Sequence, residues 1–589
     1  MQIMRQFLKF FLASLTAIIV FSVIVFFVFI GFIGSLASSD KPSVRTNAVL
    51  YIDLNQPIKE QKVANPLSSF EPEDEFDLPG LFDVVRIIEH AKTDSAIKGI
   101  YLKCNNNSNG LATSDELRKA LLSFKQSKKF IYAYGDVIPQ RAYYVANVAT
   151  KIYCNPKGGL DWKGFSIDYT FFKKALQKLE IEPQIFYAGK FKSATEPFRE
   201  EQMTAANRLQ TQVFLNEIYN HFLLTTAVAR NTDTATLHQC ADNYLIKTTA
   251  DAVTYKLIDA AKYDDEVKDE LKQKLGVDKY SKINFIQLAK YGEAVNYKKE
   301  KGSNKIAVVF AQGDIVDGKG DDDQIGGETF RNWFRKARLD KEVKAIVVRV
   351  NSGGGSALAS ETMWRELSLA RKEKPVVISF GDYAASGGYY MSCMADSIFA
   401  QENTLTGSIG VFSVLPNMKN FFNNKLGITF DGVKTAQYAD MMTIDRPLND
   451  AEKRFLQNDV DSIYQTFLTR VSNGRKLNRV HVDSIAQGRV WTGAKGKELG
   501  LVDRIGGLQD AINCAARMAK LKDYRTKEFP EPESFFKQIF GNYTQNTRSN
   551  ILQQELGSEG MEIYTSYKKI KQVVGSSQAR LPFEWRMNF

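Results

Sequence analysis

The chain of 589 residues contains an internal repeat, because the sequence aligns with itself when it is displaced by 246 positions. In that register residues 97–100 align with residues 343–346, and residues 143–144 align with residues 389–390. The alignment runs without a gap from position 97 to position 164. A domain of ordinary size has about 100–200 residues. The repeat therefore predicts several structural units, two of which share one fold.

Short apolar runs alternate with helical patterns in the second copy. Residues 345–350 and 376–380 are apolar and β-branched and predict strands, whereas residues 357–372 have the period of a helix. The first strand of each copy is predicted at residues 48–52 and 306–310. Apolar strands that alternate with helices are typical of βαβ units around a buried parallel sheet. The predicted fold class is α/β.

Residues 10–37 carry no charge and are rich in Phe, Ile and Val. About 20 apolar residues are enough to cross a bilayer as a helix, whereas the apolar region of a signal peptide has about 7–15 residues. Arg5 and Lys9 precede the run, so the positive-inside rule leaves residues 1–9 in the cytoplasm and exports the rest. The sequence predicts a signal anchor. Removal after the small residues 35–37 is the alternative.

Composition excludes several classes of function. The net charge of +11 indicates a generally basic surface, or attraction to anionic lipid headgroups if the chain is anchored in a membrane. No basic run carries interleaved aromatic residues, so nucleic acid is not a predicted partner. The five cysteines are far apart and form no CxxC pair, which predicts buried thiols and neither a zinc cluster nor a cysteine nucleophile.

A glycine-rich segment at residues 351–356 lies between a predicted strand and a predicted helix. Glycine allows backbone N–H groups to approach a ligand closely, and the start of a helix adds a positive dipole end. The segment lacks the spacing of a P-loop or of a dinucleotide-binding loop. It predicts a site for an oxyanion, with a plain tight turn as the alternative.

Ser386 lies in a second segment of small residues, with two alanines before it and two glycines after it. These residues clear space around one hydroxyl at a predicted junction between strand and helix, as a nucleophile on a sharp turn requires. A serine that caps the helix is the alternative. Both segments follow parallel strands, so they are predicted to meet at one edge of the sheet.

A nucleophilic serine needs a base. None of the four histidines stands beside a glycine-rich turn; they are His90, His221, His238 and His481. A lysine can act as base if burial keeps it neutral. Lys192, within residues 189–198, is the candidate, and spacing alone does not exclude Lys190.

In combination these segments resemble the long form of the signal peptide peptidase A family, also called protease IV, of serine peptidase family S49. The residues that carry the resemblance are 353–356, 385–389, 406–410, 191–194, 196–198, 488–493 and 500–503. The resemblance covers roughly residues 45–525. It implies two crotonase/Clp-protease-like (ββα-superhelix) domains, at residues 46–296 and 304–528, after an N-terminal transmembrane helix.

The resemblance also implies the roles of the site residues. Ser386 is expected to be the nucleophile, Lys192 the general base, and Ser408 the residue that orients the lysine. The N–H groups of Gly354 and Gly355 are expected to form the oxyanion hole, and no metal or cofactor is expected. In the repeat register Ser386 aligns with Gln140, Lys192 with Tyr438, and Ser408 with Trp162. A single site between the two copies is therefore predicted.

The predicted function is that of a membrane-anchored serine endopeptidase with a Ser/Lys dyad. It is expected to degrade signal peptides left in the membrane after their release from exported proteins. The resemblance implies a homotetramer in the inner (cytoplasmic) membrane, in contact with lipid, with its catalytic part on the extracytoplasmic side. The alternatives are a crotonase-fold acyl-CoA enzyme and a non-catalytic membrane scaffold.

The tail, residues 529–589, lies outside the resemblance. A helix is predicted around residues 551–574, followed by a Gly-Ser break and by residues 579–583, of which residues 581–583 are apolar. Proline biases the residue before it away from helix, so this segment is suited to an extended conformation. We expect it to occupy the cleft as a substrate does, or to pack on a neighbouring domain or subunit.

Overall fold

The computed structural model of the protein describes residues 2–37, 42–61, 79–298, 300–531, 576–581 and 585–588. The helix predicted around residues 551–574, and residues 582–583 of the predicted extended segment, lie outside the described residues.

The elements of the first half, in chain order, are α1 (Gln2–Ala37), β1 (Ala48–Asp53), α2 (Leu81–Thr93), β2 (Ile97–Lys103), α3 (Leu111–Lys125), β3 (Phe130–Ile138), α4 (Gln140–Ala146), β4 (Lys151–Leu160), β5 (Ser166–Tyr169), α5 (Lys173–Lys178), β6 (Glu182–Ala188), a 3₁₀ turn (Ser193–Thr195), α6 (Glu196–Arg199), α7 (Ala205–Arg230), α8 (Thr234–Asp242), α9 (Thr249–Thr254), β7 (Ala260–Ala261), α10 (Asp264–Leu275), β8 (Phe285–Gln287) and α11 (Leu288–Ala294).

The elements of the second half are β9 (Lys305–Gln312), β10 (Asp314–Val316), β11 (Gln324–Gly326), α12 (Gly327–Leu339), β12 (Val343–Ser352), β13 (Gly354–Ser356), α13 (Ala357–Arg371), β14 (Val376–Ala385), α14 (Gly387–Ser392), β15 (Ser397–Ala400), β16 (Leu405–Gly407), β17 (Val411–Asn417), a π-helical turn (Phe421–Leu426), α15 (Asp450–Arg475), α16 (Arg479–Ile485), β18 (Val490–Thr492), α17 (Gly493–Glu498), β19 (Arg504–Ile505), α18 (Leu508–Met518), β20 (Arg525–Phe529), β21 (Gln578–Arg580) and β22 (Trp585–Asn588).

Each half is built on a mainly parallel sheet. The first sheet has the order β7-β4-β3-β2-β1-β8, and all of its neighbouring strands are parallel. The second has the order β18-β16-β14-β12-β9-β20, with β18 antiparallel to β16. Both faces of the first sheet are buried, since Leu50 packs in one apolar cluster and Val49 in another. Burial on both faces explains why these strands are almost continuously apolar.

The repeat predicted from the sequence is confirmed in the elements. Helix α12 is displaced from α2 by 246 positions at both ends, and α13 is displaced from α3 by the same number. The strands predicted at residues 345–350 and 376–380 lie within β12 and β14. Strand β14 extends to Ala385 because its end pairs with β16, where Ala385 stands opposite Gly407. All five cysteines are buried and unpaired, as predicted.

A third sheet joins the two halves, in the order β11-β10-β13-β21-β17-β6. Strand β6 of the first half pairs antiparallel with β17 of the second half along its whole length, from Glu182 to Ala188. The chain that leaves β6 leads directly to Lys192. This pairing therefore brings the lysine-bearing segment of the first half to the second half.

Helix α1 includes the apolar run of residues 10–37. Within the described part of the chain, no helix combines the length and the hydropathy required to cross a membrane.

Candidate active site

Ser386 lies on a sharp turn between β14 and α14. Its backbone has φ 53°, which L-residues rarely adopt, and its N–H donates to the Gly407 carbonyl at 2.8 Å. Strained backbone of this kind persists where the surrounding structure holds it, and it is concentrated at functional sites. A Cβ on Gly387 would lie 2.7 Å from Ser360 Oγ, and one on Gly388 would lie 3.0 Å from the Ser352 carbonyl oxygen. The two glycines therefore allow the turn to pack closely.

Lys192 reaches Ser386 from the first half of the chain. Its Nζ lies 2.9 Å from Ser386 Oγ and 3.1 Å from Ser408 Oγ, with the Ser408 carbonyl oxygen at 3.4 Å. Lys190 is exposed, and its Nζ lies over the Phe191 ring at 5.8 Å. Of the two candidate lysines, the structure brings Lys192 to the serine.

The surroundings of Lys192 favour its neutral form. The side chain is 2% exposed, and burial lowers the pKa of its amine well below the usual range of lysine. Among the residues that the structure describes, no carboxylate opposes this shift in pKa. A buried amine without an anionic partner loses its proton readily because desolvation penalises the charged form. Lys192 can therefore accept a proton at a pH where an ordinary lysine cannot.

Ser408 also lies on a turn with positive φ, at 48°, directly after β16. Its N–H donates to the Arg489 carbonyl at 2.7 Å, which holds the turn against the loop before β18. The Ser408 hydroxyl and carbonyl both face Lys192 Nζ. These contacts give the amine a defined direction toward Ser386.

The loop that carries Lys192 crosses the loop before β18 at very short range. The Phe191 N–H donates to the Gln487 carbonyl at 2.7 Å. Gly488 has φ 76°, and a Cβ there would lie 2.7 Å from the Lys192 backbone nitrogen. Only glycine meets both conditions. The glycine that opens the 488–493 segment is thus required for the approach of Lys192.

Gln210 of α7 supports the same loop, and sequence analysis did not identify it. It is 2% exposed, and its Nε2 donates to the Phe191 carbonyl at 3.1 Å and to Ser193 Oγ at 3.0 Å. Its Oε1 accepts from the Val490 N–H at 3.2 Å. One amide therefore connects the lysine loop to the second half of the chain. No local motif marks it, because the groups that it joins, the Phe191 carbonyl and the Val490 N–H, are distant in sequence.

The glycine-rich segment forms a short strand, β13, before helix α13 begins at Ala357. The Gly354 N–H donates to Ser352 Oγ at 3.1 Å. A Cβ on Gly387 would lie 3.2 Å from the Gly355 nitrogen. The Gly355 nitrogen thus lies close to Gly387, the residue that follows Ser386. The Gly354 N–H, one of the two donors expected from the sequence, already has a partner.

The residues that align with Ser386, Ser408 and Lys192 in the other copy of the repeat form no such arrangement. Gln140, which aligns with Ser386, is fully buried, and its Oε1 accepts from the Lys163 and Gly164 N–H groups. Trp162, which aligns with Ser408, is buried and donates to the Leu237 carbonyl. Tyr438, which aligns with Lys192, is 48% exposed. The Ser-Lys-Ser contact is thus made once between the two halves of the described chain.

The pattern of peptidase family S49 matches the chain twice, at residues 123–278 and 368–522. The chain is 35% identical to Protease 4 of Salmonella typhi over 480 residues, covering 80% of this chain and 77% of the relative. It is 37% identical to Protease 4 of Haemophilus influenzae over 448 residues, covering 74% and 72%. It is also 33% identical over 243 residues to a putative signal peptide peptidase SppA of Enterococcus faecium, covering 40% and 70%.

Proposed function

The chain belongs to peptidase family S49 and is a serine peptidase, and we propose that Ser386 is its nucleophile and Lys192 its general base. The observation that carries the proposal is the 2.9 Å contact between Lys192 Nζ and Ser386 Oγ, made by a buried lysine. Nucleophile and base within hydrogen-bond reach, with the base oriented by a third group, is the arrangement that activates a serine. Ser408 is the orienting group.

The reaction follows from these contacts. Ser386 Oγ attacks the peptide carbonyl while neutral Lys192 Nζ accepts the hydroxyl proton. The C–N bond then breaks, the leaving amine takes that proton from Lys192, and an acyl-serine ester remains. A water molecule gives a proton to Lys192 and attacks the ester, which releases the acid and restores the Ser386 hydroxyl. Each step uses a group already in place, so little reorganisation is needed.

The negative charge that develops on the carbonyl oxygen needs donors. We propose the N–H groups of Gly355 and Gly387 for this role, because the Gly355 nitrogen lies close to Gly387, the residue that follows Ser386. This revises the expected pair of Gly354 and Gly355, since the Gly354 N–H donates to Ser352. Gly354 keeps a different role, because its lack of a side chain leaves room for a bound strand.

The proposal includes the setting of the enzyme. Residues 46–296 and 304–528 are two crotonase/Clp-protease-like domains, residues 10–37 are an anchor in the inner (cytoplasmic) membrane, and the catalytic part lies outside the cytoplasm as a homotetramer. The uncharged run of residues 10–37 and the basic residues before it support the anchor. Its substrates are signal peptides left in the membrane, a class supported by the sequence resemblance and by the name of the Enterococcus relative.

An active-site label tests the dyad. A fluorophosphonate probe forms a covalent bond with an activated serine, and the modified residue is identified by mass spectrometry of peptides. We expect labelling of Ser386 in the full chain, none in Ser386→Ala, and strongly slowed labelling in Lys192→Ala. Labelling of another serine, or labelling of Ser386 that does not depend on Lys192, would contradict the proposal. Family membership favours this hydrolase over the acyl-CoA enzyme and the scaffold considered from sequence.

A further inference from the structure

The C-terminal strand β21 fills a gap in the sheet that joins the two halves. It lies between β13, the glycine strand, and β17. Residues 578–581 are each at most 8% exposed. An extended peptide that adds to exposed strand edges is a common mode of peptide recognition. Without β21, strands β13 and β17 would bound a slot one strand wide beside Ser386.

The register of β21 places one carbonyl at the proposed oxyanion donors. The strand is antiparallel to β13, with Ala579 opposite Gly355. The Leu581 N–H donates to the Gly353 carbonyl at 2.8 Å, so the alternation of an antiparallel ladder directs the Ala579 carbonyl toward the Gly355 N–H. The Ala579 oxygen also lies 3.1 Å from the position of a Cβ on Gly387. In a substrate bound in this register, the peptide bond after the residue at the position of Ala579 would be attacked.

The side chains that follow Ala579 have matching partners. Arg580 Nη2 lies 2.7 Å from Asp314 Oδ2, and Asp314 belongs to β10, which pairs with β13. Leu581 packs in an apolar cluster that includes Ala385 and Leu405, close in sequence to the two active-site serines. The site therefore offers a carboxylate for a basic residue and an apolar pocket for the next one.

We propose that residues 578–581 are an internal ligand of the peptide cleft, and that Asp314 is a specificity residue of that cleft. The inference deepens the proposed function and rests on it. Substrates bind in the register of β21, with a small side chain at the position of Ala579, a basic one at Arg580 and an apolar one at Leu581. The chain's own segment competes with them. A tail that only braces the fold would need neither a carbonyl beside Gly387 nor a carboxylate for Arg580.

Charge exchange between Arg580 and Asp314 tests the proposal in the full chain. The ligands are fluorescent Ser-Gln-Ala-Arg-Leu and the matched Ser-Gln-Ala-Glu-Leu, with binding measured by fluorescence anisotropy. All variants carry Ser386→Ala, so that binding is measured without hydrolysis. A failure of the dyad therefore leaves this experiment unaffected, and the two proposals fail separately.

We expect the chain that carries Ser386→Ala alone to bind both peptides weakly, because residues 578–581 occupy its cleft. Arg580→Glu places two carboxylates together and releases the segment, and the arginine peptide should then bind at least about tenfold more tightly, equivalent to roughly 1.4 kcal/mol. Asp314→Lys should also release the segment but prefer the glutamate peptide. The double variant should restore the pairing and bind both peptides weakly again.

The control is Lys336→Glu, which lowers the net charge by the same amount as Arg580→Glu at a surface ion pair with Glu531. Its affinity for each peptide should equal that of the chain that carries Ser386→Ala alone. If a reversal variant fails to fold, Arg580→Gln and Asp314→Asn remove each charge without reversing it; Arg580→Gln should bind the arginine peptide more tightly, and Asp314→Asn should lose the preference for it. Equal affinities in all variants, or a peptide preference that does not follow the charge at position 314, would overturn the proposal.

Discussion

At the scale of single residues, the proposed chemistry depends on one amine whose pKa is lowered by burial. Lys192 is buried and has no carboxylate partner in the described part of the chain, so its charged form would be an unpaired ion in a protein interior. The neutral form instead finds two serine hydroxyls and a carbonyl within hydrogen-bond reach. A general base is most useful when its pKa lies near the working pH. Burial is the means by which a lysine reaches that range.

Replacing Lys192 and Lys190 one at a time tests which of the two lysines is the base. We expect Lys192→Ala to lose peptidase activity by several orders of magnitude, as removal of one member of a catalytic unit does. Lys190→Ala should retain most of the activity because Lys190 is exposed and its Nζ lies over the Phe191 ring, whereas Lys192 Nζ contacts Ser386. The measurement is the turnover of a chromogenic peptide by each purified variant. An essential Lys190 would show that the contact with Lys192 is not the productive one.

The pH dependence of the reaction follows from the lowered pKa of Lys192. The amine is neutral only above its pKa, so kcat/KM should rise as the pH increases through that value and then level off. Because burial lowers this pKa, the plateau should begin well below the pH at which an ordinary lysine, of pKa about 10.4, loses its proton. Initial rates measured across pH, with circular dichroism to verify folding, give the profile. Activity that falls over this range would exclude a neutral lysine as the base.

At the scale of elements, the site depends on two loops that approach each other closely. The lysine loop follows β6, and the loop before β18 meets it at Gly488. Gln210 of α7 binds the lysine loop and Val490, the first residue of β18. The parts of the site are therefore held by elements far apart in the sequence. A small change at the crossing should affect catalysis without unfolding either sheet.

Gly488→Ala should abolish most activity. Its Cβ would lie 2.7 Å from the Lys192 backbone nitrogen, so the lysine loop must move, and a displacement of about 1 Å can cost about 100-fold in rate. Gly276→Ala is the matched control, because Gly276 also has positive φ, at 66°, but a Cβ there meets nothing within 4 Å. Both variants should lose about 1 kcal/mol of stability from backbone strain. Only Gly488→Ala should lose turnover, and equal activity of the two variants would refute the role given to the crossing.

The proposed anchor contributes location and no residue of the site. A chain that begins at residue 46 should therefore be soluble and hydrolyse peptides at the rate of the full chain in detergent. The full chain should sediment with membranes, and its catalytic part should be digested by protease added to spheroplasts. Protection of that part from protease in intact spheroplasts would reverse the proposed orientation.

At the scale of the whole molecule, the two halves are joined by buried charges as well as by the third sheet. Arg349 of β12 is fully buried; its Nε lies 2.8 Å from Glu60 Oε2, and its Nη2 lies 2.7 Å from Glu116 Oε1. Both glutamates belong to the first half. The ion pairs of such a triad have defined directions. All three members are needed, because removal of one leaves the others buried and unpaired.

Arg349→Met should therefore destabilise the chain strongly, by about 3–5 kcal/mol, because two buried carboxylates lose their cation. Lys336→Met is the control, since both partners of that surface pair are 56% exposed and such pairs contribute about 0–1 kcal/mol. Unfolding in urea at neutral pH measures both changes. A loss of less than 1 kcal/mol in Arg349→Met would show that the triad does not hold the halves together.

From the amino-acid sequence one could predict the repeat, the α/β class and the serine and lysine proposed for the site. Helix and strand patterns are local, so α12 and α13 begin at the positions that the register of the repeat predicts. Ser386 was predicted as the nucleophile from its segment of small residues, and Lys192 as the base from the family resemblance. The choice between Lys192 and Lys190 could not be made from spacing, because it depends on which amine a loop buries.

How these residues meet depends on the tertiary fold and could not be predicted. The pairing of β6 with β17, the passage of the lysine loop over Gly488, and the bridge made by Gln210 each join positions that are far apart in the chain. The position of β21 beside β13 could not be predicted from the sequence for the same reason. Local patterns specify each element, whereas a site built between two domains depends on contacts that exist only after both have folded.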